Sequence, residues 1–131
     1  MEPVFDPNGD VVAWLNNDVI HDLNGAAVVF LSDHNVLGYG CAHLGFLDRG
    51  LFRDHAGDVV AYVRGAHGGP LLPVPHVPPI PPVPHVPPVP PVAPVPPIPS
   101  VASLDWSSLD WHAFISGGAF QQSRRAVRPE R

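Results

Sequence analysis

Sliding the sequence against itself by sixteen residues aligns four blocks, starting at Pro3, Val19, Asn35 and Leu51, without a gap. One column of the alignment reads Trp14, Phe30, Phe46, Tyr62, and the next reads Leu15, Leu31, Leu47, Val63. Two positions before the aromatics lie Val12, Val28, Leu44, Val60, and between them the smaller column Ala13, Val29, Gly45, Ala61. Placement with a period of two predicts a strand. A second short apolar stretch contributes Val4, Ile20, Val36 and Phe52.

The two stretches of a block are separated by Asp6-Pro7-Asn8-Gly9, Asp22-Leu23-Asn24-Gly25 or Asp54-His55-Ala56-Gly57. Asp can accept backbone N–H groups in a turn, Asn tolerates left-handed torsions, and Gly accepts positive φ, so each block reads as strand, turn, strand, with a short bulged hairpin loop. The third block has Gly38-Tyr39-Gly40-Cys41 at these positions, keeping glycine but losing the Asp.

One hairpin is barely stable alone, so the four units must bury surface against one another. The expected fold class is all-β: four 16-residue β-hairpin repeats closed with pseudo-fourfold symmetry. The small column would sit where four backbones crowd together, and the aromatic column would fill the space between units. If residues 1–70 form the domain, its core is near the lower limit of stability, and a docking segment or oligomerisation would help.

From Val74 a second repeat begins, with an aliphatic at positions 74, 77, 80, 83, 86, 89, 92, 95 and 98 and mostly proline between. Polyproline II has three residues per turn, so these side chains would stack in one ridge along a rod of roughly 84 Å if straight. The absence of glycine at every third position excludes collagen. A plain spacer needs proline but no ridge; a packed ridge would lie on the domain or on other rods, and a Pro-binding module is a further possible reader. His76 and His85 replace proline nine residues apart, roughly 28 Å along the rod, too far to share a metal, and read as neutral, solvent-facing substitutions.

After Ser100 the stretch Leu104 to Ile115 contains Ser107-x-x-Asp110 as a start and Gly117-Gly118 as a stop, predicting a short helix. Its apolar side, with Trp106, Trp111 and Phe114, needs burial, either on its own domain or against a partner. The expected organisation is therefore a β domain over 1–70, a polyproline II segment over 71–100, a docking helix within 101–118 and a disordered basic tail over 119–131.

Charge divides along the same boundary. Residues 1–70 hold nine Asp or Glu against three Arg, a net −6, while residues 71–131 hold three against four, and the chain has no lysine. A nucleic-acid footprint is absent apart from the arginines at 124, 125, 128 and 131. One cysteine excludes an intramolecular disulfide framework. No apolar run approaches a membrane span, and a soluble cytoplasmic protein is the default expectation.

The repeated Asp turns lack the terminal Glu of a calcium loop, and the histidines show no ligand spacing, so no metal or cofactor is expected. Cys41 and His43 lack an evident third orienting group, so no catalytic residue is assigned. The column Phe5, His21, Leu37, Arg53 varies most within the repeats. That is how a symmetric scaffold would present an asymmetric surface, which makes His21 and Arg53 the candidate ligand contacts.

The chain resembles the bacterial four-fold beta flower proteins, small all-β domains followed by a proline-rich tail and a tryptophan-containing end. The resemblance rests on the Asp-x-x-Gly turns, Ala42-His43-Leu44-Gly45-Phe46, Leu51-Phe52-Arg53-Asp54, Gly68-Gly69-Pro70-Leu71-Leu72-Pro73, and Ser103-Leu104-Asp105-Trp106 with Trp111 and Phe114. It implies a fold, and no activity, cofactor or catalytic residue comes with it. The expected function is that of a non-enzymatic interaction or scaffold protein, using the rod and terminal helix to bind a protein partner or itself. The alternative is a small-molecule-binding or enzymatic domain with its site at the pseudo-fourfold centre.

Overall fold

The computed structural model describes residues 1–39, 42–89 and 101–116. Eight strands follow in chain order: β1 (Glu2–Phe5), β2 (Val11–Asn16), β3 (Val19–His21), β4 (Ala27–Ser32), β5 (Asn35–Gly38), β6 (His43–Asp48), β7 (Leu51–Arg53) and β8 (Val59–Tyr62). Each pairs antiparallel with the next, and β1 returns to β8, so the chain forms a closed all-β barrel followed by one short helix, α1 (Trp111–Ile115). Closure gives each of these strands a neighbour on both sides. Among the described residues no helix is long and apolar enough to cross a membrane.

Two kinds of turn alternate around the barrel. In the longer kind, Asp6 Oδ1 accepts from the backbone N–H groups of Asn8 and Asp10, and Asp22 and Asp54 do the same in their turns. Gly9, Gly25 and Gly57 close these turns with φ between 86° and 95°. In the shorter kind, Asn17, Asp33 and Arg49 take φ of 55°, 53° and 52°, a left-handed conformation that polar residues tolerate better than branched ones. Where the third long turn lacks its Asp, the Gly38 N–H still bonds the Ala42 carbonyl at 2.9 Å, while Gly40 and Cys41 lie outside the described residues.

A register shift recurs in each long hairpin: Val4 pairs with Ala13 but Phe5 pairs with Val11, so Val12 is an extra residue. Val28, Leu44 and Val60 are displaced in the same way. The bulge brings each of these side chains to the inner face beside Ala13, Val29, Gly45 and Ala61. Val4, Ile20, Val36 and Phe52, all fully buried, complete that inner cluster.

The aromatic column faces the other way. Trp14 lies opposite His21, Phe30 opposite Leu37, Phe46 opposite Arg53, and Tyr62 opposite Phe5, so each aromatic meets the next block's most variable position on the outer wall. Phe5, His21, Leu37 and Arg53 are 0–3% exposed. The expectation of a varied surface on this column is therefore corrected: all four residues are buried, and at Phe5 and Arg53 the downstream chain takes part in covering them.

The join between β8 and β1 carries one registered pair, Phe5 with Tyr62, whereas the equivalent join of β2 and β3 carries three. The downstream chain compensates. The Val59 N–H bonds the Asp105 carbonyl at 3.0 Å and the Ser107 N–H bonds the Val59 carbonyl at 2.7 Å, adding a parallel bridge to β8. Trp106 and Leu72 pack with Phe5, Leu51, Val59 and Tyr62 over the join.

The helix is shorter than predicted and starts later. Asp110, not Ser107, is its N-cap, accepting the Ala113 N–H at 2.7 Å. The Ser107 hydroxyl is engaged elsewhere, donating to Asp54 and accepting from the Leu109 N–H. The predicted stop at Gly117-Gly118 and the basic tail over 119–131 lie outside the described residues.

Candidate interaction surface around the barrel

The barrel axis is occupied by side chains. Ala13, Val29 and Ala61 have no exposed surface, and Trp111 and Phe114 of α1 join the same cluster at 4% and 2% exposure. Trp111 meets Phe52 edge to face with ring centroids 5.4 Å apart. Gly45 makes room for this plug, since a Cβ there would lie 2.7 Å from the Phe114 ring and overlap the Arg53 carbonyl. Trp106 covers Tyr62 on the outer wall at 6.3 Å. The expectation that Trp106, Trp111 and Phe114 anchor a partner is thus corrected: these side chains are taken up by the chain's own barrel.

His21 and Arg53 are equally committed to the chain. The His21 Nδ1–H donates to the Gly25 carbonyl at 2.9 Å, while its Nε2 has no partner among the described residues. The Arg53 guanidinium donates to three carbonyls: Gly57 at 2.6 Å, Ser103 at 2.7 Å and Gly68 at 3.0 Å. Arg53 therefore gathers its own turn, the start of the proline-rich segment and the returning tail. Planar guanidinium donors suit such convergent acceptors. Both residues work as internal fasteners, which corrects the ligand-contact expectation.

The described part of the proline-rich segment, residues 71–89, runs along the barrel and touches it through its backbone. The His76 N–H donates to the Gly9 carbonyl and the His85 N–H to the Gly25 carbonyl, each at 2.9 Å, and the Ser103 N–H reaches Gly57 at 3.1 Å. Proline has no N–H, so His76 and His85 supply donors that a proline there would remove. The turn glycines admit the segment closely: a Cβ on Gly9 would lie 2.9 Å from the Val74 carbonyl, and one on Gly25 would overlap that of Val83. The His76 ring also pairs with Asp10. The reading of both histidines as neutral substitutions is corrected. Their rings are exposed, but their amides are not spare.

The aliphatic ridge faces away from the barrel. Val74, Val77, Ile80, Val83, Val86 and Val89 are 84–93% exposed, so these six are not packed on the domain, while positions 92, 95 and 98 lie outside the described residues. Soluble proteins seldom leave contiguous apolar rows uncovered.

A family model described as 4-fold beta flower protein matches residues 2–115, spanning the barrel, the proline-rich segment and α1. The chain belongs to the 4-fold beta flower protein family. No curated protein and no solved structure matches it.

Two further features of this beta flower barrel could carry chemistry. His43 Nε2 lies 2.9 Å from Asn35 Oδ1, and His43 Nδ1 lies 2.9 Å from His55 Nε2. The amide oxygen only accepts, so His43 carries its proton on Nε2 and accepts from the His55 Nε2–H. Burial lowers the pKa of both rings; at His43 the neighbouring imidazole adds to the lowering, while at His55 the Asp54 carboxylate opposes it. Separately, His112 lies between a cleft of about 400 Å3 beside Asp6, Asn8 and Trp111 and one of about 250 Å3 beside Val11, Asp22 and Asn24. Neither cleft is lined by His21 or Arg53. Among the described residues no group of three His, Cys, Asp or Glu is placed to hold a metal.

Proposed function

We propose that this beta flower protein is a non-enzymatic interaction module. Its barrel is a frame of four 16-residue hairpins with pseudo-fourfold symmetry, and its proline-rich segment is a polyproline II strap carried on that frame. The spacing of strand starts at Val11, Ala27, His43 and Val59 supports the first part, and the three-residue aliphatic period supports the second.

The observation that carries the reading is the exposed aliphatic row. A strap needed only to close the barrel would turn its apolar side inward, where burial of each Val or Ile is worth about 1.5–3 kcal/mol. Here the backbone makes the attachment and the side chains are held outward. The strap works as a presentation device, with the net −6 of residues 1–70 favouring a protein surface over nucleic acid or an anionic membrane.

The test is a triple substitution, Val77→Ser, Ile80→Ser and Val83→Ser, in the full chain. The wild type is expected to sediment with a partner or with itself, and the variant to sediment as a free monomer with an unchanged melting temperature. Identical sedimentation of the two chains would overturn the reading.

A further inference from the structure

Deepening that reading and resting on it, we infer that the occupant of the ridge is a second copy of this chain, the two straps lying ridge against ridge about a twofold axis. Three observations select a copy over another partner. The first is charge. No Asp, Glu, Lys or Arg occurs between Arg64 and Asp105, so nothing along the ridge offers a foreign surface an ionic match. The second is periodicity. A row that repeats every three residues, about 9.3 Å in polyproline II, is complementary to itself, because each aliphatic side chain fits between two of an identical row. A twofold contact requires this self-complementarity.

The third is area. Burying a Val or Ile removes on the order of 100 Å2 of apolar surface. The six exposed ridge residues then supply at most about 600 Å2 per copy and about 1,200 Å2 between two, the lower edge of specific interfaces. The attachment of the strap assists as well. Because the His76 and His85 amides already fix it to Gly9 and Gly25, little backbone freedom is lost when two straps meet.

The partner identity has its own signature in salt. Two acidic barrels repel, so an apolar contact between copies strengthens as ionic strength rises and screens that repulsion. A partner recruited by the acidic barrel would instead be released.

Purified full-length chain is examined by sedimentation equilibrium from micromolar to several hundred micromolar, at low and high sodium chloride. The expected result is a monomer–dimer equilibrium that tightens with salt. In the charged variant Ile80→Glu with Val83→Glu the dissociation constant should rise by about 100-fold or more. Both side chains are at least 84% exposed, so the variant folds, which its circular dichroism checks. A chain that stays monomeric throughout overturns the second copy as occupant. If zwitterionic phosphatidylcholine vesicles bind that monomer and not the variant, the ridge keeps its interaction role with a lipid surface. A dimer that survives the double substitution overturns the ridge as its interface while leaving self-association standing.

Discussion

Arg53 holds the Ser103 carbonyl at 2.7 Å across fifty residues of chain, through the same nitrogen that holds Gly57. At 3% exposure this guanidinium works in a site where unmet acceptors are costly. Arg53→Met retains the aliphatic stem and removes the donors from three carbonyls. Its expected cost is about 3 kcal/mol, lowering the melting temperature by on the order of 10 °C. Arg53→Lys should fall between the two, since one ammonium cannot reproduce the planar fork. A thermal midpoint for Arg53→Met within 2–3 °C of wild type, roughly the effect of a surface change, would remove Arg53 from this role.

Gly45 tests whether α1 belongs to the core. Gly45→Ala places a methyl group against the Arg53 carbonyl and the Phe114 ring, and is expected to cost about 2–3 kcal/mol while changing the fluorescence of Trp111. Gly38→Ala is the matched control: its new Cβ would meet nothing nearer than 3.9 Å, and stability should change by less than about 0.5 kcal/mol. Equal effects from the two, in urea denaturation followed by fluorescence, would mean that the helix does not plug the barrel.

The strap's attachment is read by comparing two substitutions at one position. His85→Ala keeps the amide that donates to Gly25, whereas His85→Pro deletes it, so only the proline variant should lose about 1 kcal/mol in urea denaturation. Pro79→His, away from the turn carbonyls, should be neutral. If alanine and proline at 85 behave alike, the backbone bond does not hold the strap.

Stability should fall on mild acidification through the His43 and His55 pair. Both native pKa values lie below the ordinary 6.5, so the unfolded chain binds more protons below that pH. The contribution is complete above about pH 6.5 and is lost as pH falls toward the lowered native values. Melting temperatures between pH 7 and pH 5 should therefore decline more steeply for the wild type than for His43→Gln with His55→Gln. Parallel declines would assign the acid sensitivity to other groups.

The repeat made the strands legible because their columns alternate with a period of two, which survives any tertiary arrangement. The small column Ala13, Val29, Gly45, Ala61 pointed to the centre, where it lies, but the columns hid the bulges at Val12, Val28, Leu44 and Val60, which reset the alternation and bring those side chains to the inner face as well. The variable column looked like a surface because its residue types differ. In three dimensions each of its members lies opposite the aromatic residue of the preceding block and is buried. The helix start was misplaced because Ser107 and Asp110 both have capping chemistry, and the choice fell to Asp54, which engages the Ser107 hydroxyl from a distant turn. A signal for the strap was present in the chain: two of its non-proline breaks, His76 and His85, are nine residues apart, while the glycines they meet are sixteen apart.

Those two spacings bind the evolution of one half of the chain to the other. His76 and His85 meet Gly9 and Gly25, and Ser103, eighteen residues beyond His85, meets Gly57, thirty-two beyond Gly25. Nine strap residues thus correspond to one hairpin. An insertion or deletion of one residue within the strap would misalign every later donor and rotate the aliphatic row, while a whole triplet would keep the row yet miss the acceptors. A gain or loss of nine would keep both only with sixteen residues more or fewer in the barrel, which four-hairpin closure does not admit, so the strap should hold its length from His76 to Ser103 among related chains.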